Sequence, residues 1–305
     1  MSRRNKGRDI DGMLLLDKSP GMTSNGAVQR VKRLFQANKV GHTGTLDPIA
    51  TGVLPLCLGE ATKLSGFLLD SDKRYATRVR LGRTTTTADS EGEVLQERPV
   101  PALDEAMIEA VLQPFRGDIE QMPPMYSALK QQGRKLYELA RQGVEVERQP
   151  RRISIFALRL VAYGADYLDL DVHCSKGTYI RVLAEEIGAA LGCGGHVKQL
   201  RRTAAGTFSL AQAVRFEDLE LMADEERLGL LLPFSAIAEE LPAFALSADV
   251  AMFLRKGQPV FAPNAPTSGL LRLFTRDGAF LGVGEVNADG LIAPRRLVKE
   301  PQPKA

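Results

Sequence analysis

The stretch LDLDVHCSKGTYIRVLAEEIGAAL, residues 168–191, changes its hydrophobic period once, and that change decides the fold class. At its start Leu168, Leu170, Val172 and Cys174 alternate with Asp169, Asp171 and His173, the period of a strand with one buried face. From Thr178 the period turns helical. Ile180, Leu183, Ala184, Ile187 and Leu191 form one apolar stripe, stopped by the glycines at 192, 194 and 195. Arg181 lies off that stripe near the helix start, where the helix dipole disfavours a cation; either another requirement holds it there or it is a tolerated surface arginine. Residues 153–162 and 197–208 read as flanking strands. The result is an α+β domain dominated by sheet, with residues 130–144 a basic helical excursion out of it.

The same reading extends to both ends. Residues 13–16 are a short apolar strand, and Pro20-Gly21 marks a turn. Thr23 or Ser24 caps a helix whose stripe is Ala27, Val28, Val31, Leu34 and Phe35. Residues 60–69 and 103–112 suit helices, 75–81 a strand, and 82–92 a polar loop. Past the acidic, Leu-rich stretch 219–241 the chain turns to short strands at 259–261, 270–274, 279–286 and 291–293, with Asp277-Gly278 and Asp289-Gly290 as hairpin turns. About sixty residues of this kind make a small β-barrel or sandwich. We therefore expect two units, 1–245 and 246–305, in line with ~150 residues per domain.

The chain has 305 residues, of which 44% are hydrophobic and 25% charged, values of a globular protein and not of a disordered or collagen-like one. Lys+Arg 40 against Asp+Glu 37 leaves only +3, but the charges are segregated. Bases cluster in residues 1–40, in 130–152 and at Lys198, Arg201 and Arg202, while acids cluster in 217–226 and at Glu239 and Glu240. Such separation either builds a positive face that follows a phosphate backbone or is an ordinary surface with its charges mixed in space. Three cysteines in unlike settings fit a reduced compartment. No signal peptide and no apolar run of about 18 residues is present, so a cytoplasmic protein without a membrane partner is expected.

The most unusual peptide is Gly41-His42-Thr43-Gly44-Thr45-Leu46-Asp47-Pro48-Ile49-Ala50-Thr51-Gly52. Pro48 keeps Asp47 out of the helical region, and the apolar run 53–58 can anchor the loop, so a carboxylate is held on a stiff support. An Asp-Pro turn with no chemistry is the plain alternative. His42, His173 and His196 are scattered and no Cys-x-x-Cys occurs, which argues against zinc; the glycine patterns of dinucleotide and P-loop sites are also missing. Chemistry on side chains alone, with no cofactor and no metal, is expected. Asp47, Tyr75, Arg181 and Lys130 are the candidates.

Three ordered peptides, residues 41–48, Lys73-Arg74-Tyr75 and Lys176-Gly177-Thr178-Tyr179-Ile180-Arg181, resemble those of the bacterial tRNA pseudouridine-55 synthases, the B-type pseudouridine synthase family. The similarity runs from Leu15-Leu16-Asp17-Lys18 to the C-terminal unit. Ile49 departs from the expected leucine, and Arg74 from a small or β-branched residue. The resemblance implies a mixed, largely antiparallel catalytic sheet, a basic RNA-gripping insertion at about 123–152, and a β-barrel-like PUA domain that reaches the acceptor stem. It implies isomerisation of uridine 55 in the T arm of tRNA by a monomer. Asp47 would be the catalytic carboxylate, attacking C1′ or removing the C2′ proton. Tyr75 would stack on the base and take the C5 proton, and Arg181 would keep Asp47 ionised. His42, Lys130, Leu200, Lys18, Lys176 and Tyr179 would bind substrate. A glycosylase or nucleoside hydrolase and a non-catalytic RNA-folding protein are the other readings, separated by a product assay and by replacement of Asp47.

Overall fold

A computed structural model describes residues 7–299 apart from 128, 132 and 145, together with the side chains of these residues except 130, 131 and 135. Eight strands make the spine of the main sheet: β1 (Gly12–Lys18), β2 (Thr51–Leu58), β3 (Lys73–Leu81), β4 (Gly117–Gln121), β5 (Arg151–Gly164), β6 (Tyr167–Cys174), β7 (Gly195–Ala205) and β8 (Val214–Arg215). Their order is β8-β1-β2-β7-β3-β6-β5-β4, with Val40–His42 paired to β2 and Phe208–Ser209 paired to β7. Only the β1–β8 and β2–β7 pairs along this path are parallel, so the expected mixed, largely antiparallel sheet is what forms.

The period change at 168–191 appears as read. In β6 buried and half-buried residues alternate, with Leu168, Leu170, Val172 and Cys174 inside. The helix that follows, α3 (Ile180–Ala190), buries Ile180, Leu183, Ala184 and Ile187 against the sheet. The first helix, α1 (Ser24–Leu34), begins at Thr23, whose hydroxyl accepts from Gly26 N–H at 2.9 Å and so satisfies one of the open donors of the first turn. Its Ala27, Val28 and Val31, followed by Phe35, share one core with Leu14, Leu16, Leu54 and Leu56. Residues 105–112 form the helix α2 (Glu105–Leu112), capped by Asp104.

Because strands alternate, the odd residues of β1 point the other way. Met13, Leu15 and Cys57 form a second core with Leu64, Leu68, Phe208 and Ile237. That second core is closed by Val283 and Val298 from the C-terminal part of the chain, which ties the two sheets together.

The C-terminal sheet comprises β9 (Ala243–Leu246), β10 (Gly269–Thr275), β11 (Phe280–Val286) and β12 (Ile292–Leu297), in that order. The Asp-Gly turns fall where expected, between β10 and β11 and between β11 and β12. The β-barrel does not form: the end strands β9 and β12 are unpaired with each other, leaving an open sheet. Four strands of four to seven residues are too few to curl shut, since small filled barrels need about eight. The helix α4 (Ala248–Arg255), which the sequence does not disclose, packs by β12. The expected strand at 259–261 is reduced to one bridge, Val260 to Ile292. Residues 130–144 also differ from the expected helix: Lys130–Gln131 and Arg134–Lys135 pair as a hairpin before the short helix Leu136–Ala140.

Candidate active site

The loop 43–50 crosses from Val40–His42 to β2 and carries Asp47. Its backbone is pinned from two sides. The hydroxyl of Ser24, the first residue of α1, accepts from Leu46 N–H at 2.8 Å and donates to Leu46 C=O at 2.9 Å. The Lys18 ammonium, at the end of β1, donates to the carbonyls of Met22 at 2.6 Å, Ser19 at 3.0 Å and Pro48 at 3.2 Å. Lys18 is 1% exposed, and burial lowers its pKa to about 8. With its three donors engaged on carbonyls, Lys18 braces the loop beneath Asp47.

Arg181 explains why a cation stands at the start of a helix. Its Nε lies 2.8 Å from Asp47 Oδ2, its Nη1 donates to Thr87 C=O at 2.8 Å, and its Nη2 to Tyr126 C=O at 2.7 Å. A second carboxylate, Asp89 Oδ2, lies 3.8 Å from the same Nε. One guanidinium thus joins the Asp47 loop, the 86–93 loop and the base of the 123–152 segment. The Arg181 side chain is 4% exposed and that of Asp47 33%, so the carboxylate is the part of the pair that faces outward. Burial pushes the Asp47 carboxyl above its ordinary range; Arg181 pulls it down, and the like charge of Asp89 pushes it up again.

Tyr75 on β3 is buried beside this pair, near enough for its phenol to feel the Asp47 charge. Burial pushes the phenol up, and the nearby positive charge of the Arg202 guanidinium pulls it down. Leu200 is buried on β7, two residues from Arg202 on the same side of the strand. Tyr179 precedes α3; its N–H donates to Gln121 Oε1 at 2.8 Å and its C=O accepts from Gln121 Nε2 at 3.2 Å, and burial pushes its phenol up. His42 is half-buried in the short strand against β2, opposite Leu56.

Asp47, Arg181, Tyr75 and Lys18 are therefore brought together, with Tyr179 two residues from Arg181. Lys176 is not part of this group: it is exposed and paired with Asp70 at 2.8 Å. The backbone of Lys130 lies in the hairpin, and its side chain lies outside the described residues. Two buried residues of the site escape a reading of the sequence. Asp89 belongs to a loop that reads only as polar, with the adjoining run Thr84–Thr87 as its one unusual feature. Ala88, with φ +57, takes a left-handed conformation costly for a residue with a Cβ, and the Asp89 that follows is buried. Arg202 reads as one of a cluster of surface bases, yet it is 1% exposed. The basic cluster in residues 1–40 and the acidic cluster in 217–226 partly cancel in space, through Arg8–Asp224 at 2.7 Å and Arg30–Glu220 at 3.4 Å. Among the described residues no group of three or more His, Cys, Asp or Glu could hold a metal ion, and no helix is long and apolar enough to cross a membrane.

Comparison with known proteins places this arrangement. The N-terminal domain of the TruB family of pseudouridylate synthases matches residues 32–180, the tRNA pseudouridylate synthase B C-terminal domain matches 181–237, and the pseudouridine synthase II TruB C-terminal domain matches 242–298. The tRNA pseudouridine synthase B of Nitrosococcus oceani is 55% identical over 299 residues, spanning 97% of each chain. That of Coxiella burnetii is 51% identical over 297 residues, spanning 96% of each. Among solved structures, a chain of an H/ACA ribonucleoprotein bound to a substrate RNA containing 2′-deoxyuridine aligns with a TM-score of 0.73 at 22% identity, over 94% of this chain and 85% of that one, a likeness of fold. With the three domain matches in order along the sequence and relatives more than half identical over nearly its whole length, the chain belongs to the TruB family of pseudouridylate synthases.

Proposed function

We propose that this chain isomerises uridine 55 in the T arm of tRNA to pseudouridine. The N1–C1′ glycosidic bond breaks, the base turns within the pocket, a C5–C1′ bond forms, and the proton on C5 leaves while N1 takes one up, so the base keeps its composition. The observation that carries the reading is the Asp47 carboxylate, ion-paired at 2.8 Å to a buried Arg181 on a loop braced by Lys18 and Ser24. A carboxylate so held is pre-positioned for attack on C1′ or for removal of the C2′ proton. The buried Tyr75 supplies an aromatic wall that keeps the detached base in place, and its ionised oxygen, the form the Arg202 charge favours, is proposed to take the C5 proton. Arg181 holds the charge of Asp47 against burial. His42, Leu200 and Tyr179 line the pocket in this proposal, Lys18 acts through the loop, and Lys130 and Lys176 meet the RNA outside it.

A uridine within a folded T loop must leave its stack before Asp47 can reach its sugar. We assign the grip this needs to the basic segment 123–152, and acceptor-stem contact to residues 246–305, with residues 1–245 as the catalytic unit. Action as a cytoplasmic monomer belongs to the same proposal. The test is a mass balance on an unmodified T-arm stem-loop. Isomerisation leaves the RNA mass unchanged and yields pseudouridine; release of free uracil would make the protein a hydrolase.

A further inference from the structure

We propose that Arg202 is a positioning residue for the isomerisation, a buried cross-brace that sets the Tyr75 ring against the loop carrying Asp47. The proposal rests on the function just given and adds a residue to its machinery. Arg202 is among the largest side chains buried almost completely, at 1% exposure, and among the described residues no carboxylate forms an ion pair with it. Its donors go elsewhere. Nε donates to Val53 C=O at 2.7 Å and Nη2 to Gly44 C=O at 3.3 Å, the second being three residues before Asp47. Tyr75 stands directly opposite Arg202 on the neighbouring strand, so the two buried side chains lie next to each other on one face of the sheet. One planar group therefore ties the two ends of the Asp47 loop and stands beside the aromatic wall, with its donors fixed in direction as lysine's are not.

The backbone of the Asp47 loop passes close to this residue at two glycines. Gly52 has φ +101, and a Cβ there would come within 2.1 Å of the Arg202 carbonyl oxygen. Gly44 has φ +112, and a Cβ there would meet Nη1 of Arg202 at 3.5 Å. At Gly52 the glycine lets β2 lie against the backbone of residue 202, while at Gly44 a side chain would make only an ordinary contact with the guanidinium and its positive φ is what favours glycine. Held on two backbone carbonyls directly across from Tyr75, the guanidinium is a fixed neighbour that limits rotation of the ring. The cation also favours ionisation of the phenol, opposing the effect of burial on the same group.

The test combines kinetics with a readout independent of turnover. Arg202→Met and Arg202→Lys are assayed on unmodified tRNA, and the proteins are labelled with ring-¹³C tyrosine, Tyr75 being assigned by the signal missing in Tyr75→Phe. We expect kcat to fall roughly a hundredfold in Arg202→Met, the scale seen when one fixed donor is removed, with KM for tRNA changing by no more than about threefold. Arg202→Lys should fall in between, and guanidinium added to Arg202→Met should restore part of kcat. The Tyr75 ring signal should shift and its flip should speed up in both variants. If Arg202→Met does not fold, Arg202→Lys is judged by the same criteria. An unchanged kcat in a folded variant, or a fall that only follows the unfolded fraction with the Tyr75 signal unmoved, overturns the proposal. A wild-type protein that makes no pseudouridine strikes the function instead, and the tyrosine signals still report whether Arg202 fixes the ring.

Discussion

At the residue scale the account turns on Asp47, and its environment makes a signed prediction. Burial raises the carboxyl above its ordinary 3.8, so the ionised form required for either mechanism disappears at a pH higher than for a free aspartate. The acid limb of kcat/KM should have its midpoint above 3.8, and Arg181→Met should move it higher still, because the largest opposing influence is gone. A midpoint at or below 3.8 in the wild type would contradict this. The stability effect has the opposite sign: a raised folded pKa means the native state holds its proton more tightly, so this group's contribution weakens as pH rises through the window above 3.8. A fall in activity on the acid side is therefore not unfolding driven by Asp47. For Tyr75, phenylalanine keeps the ring and removes the hydroxyl, whereas leucine removes both. Tyr75→Phe should bind tRNA normally and turn over slower by roughly 10²-fold or more, the size of a general acid–base contribution; Tyr75→Leu should also bind worse. Wild-type turnover in Tyr75→Phe would show that the hydroxyl carries no proton.

The elements show what a sequence discloses and what it withholds. The alternation in β6 and the stripe of α3 are legible because a half-buried strand and an amphipathic helix each leave a local period. Asp47 is legible because Pro48 and the glycines around it are a local anomaly. Asp89 and Arg202 are not, since their burial is decided by partners far along the chain. Asp89 enters the site because its loop pairs with β7 at Val197, and Arg202 because β7 runs beside β2 and β3. A strand with apolar cores on both faces of its sheet has no single polar side, so a basic run in it does not reveal which arginine is inside. The open C-terminal sheet escapes the sequence for a related reason: its hairpin turns are local, but closure depends on strand number and stagger. At this scale the 123–152 segment carries its own prediction. Replacing Arg141, Arg148 and Arg151 together by glutamine should weaken binding of both tRNA and hairpin. The slope of log affinity against log salt should flatten by roughly 0.7–0.9 for each phosphate that is no longer neutralised. An unchanged slope would remove this segment from the phosphate grip.

Across the whole molecule the two sheets share a core. Met13, Leu15 and Cys57 of the main sheet meet Val283 and Val298 of the C-terminal part, all nearly inaccessible to water. Calorimetry should therefore show a single cooperative unfolding transition. Val283→Asp places a charge in that shared core, at a site with 0% exposure, and should lower stability by several kcal/mol or split the melt in two. Two transitions in the wild type would mean that the sheets fold independently of this shared core. The same packing explains why simple removal of residues 246–305 is a poor probe of RNA binding: it would cut inside β9 and uncover the residues that pack on Val283. The central claim is tested most directly by position-resolved detection of pseudouridine in an unmodified T-arm stem-loop, treated with the wild type and with Asp47→Asn. Pseudouridine should form at position 55 with the wild type alone, and both proteins should bind the RNA. Turnover by Asp47→Asn within about tenfold of the wild type, or no pseudouridine with either, would contradict that claim.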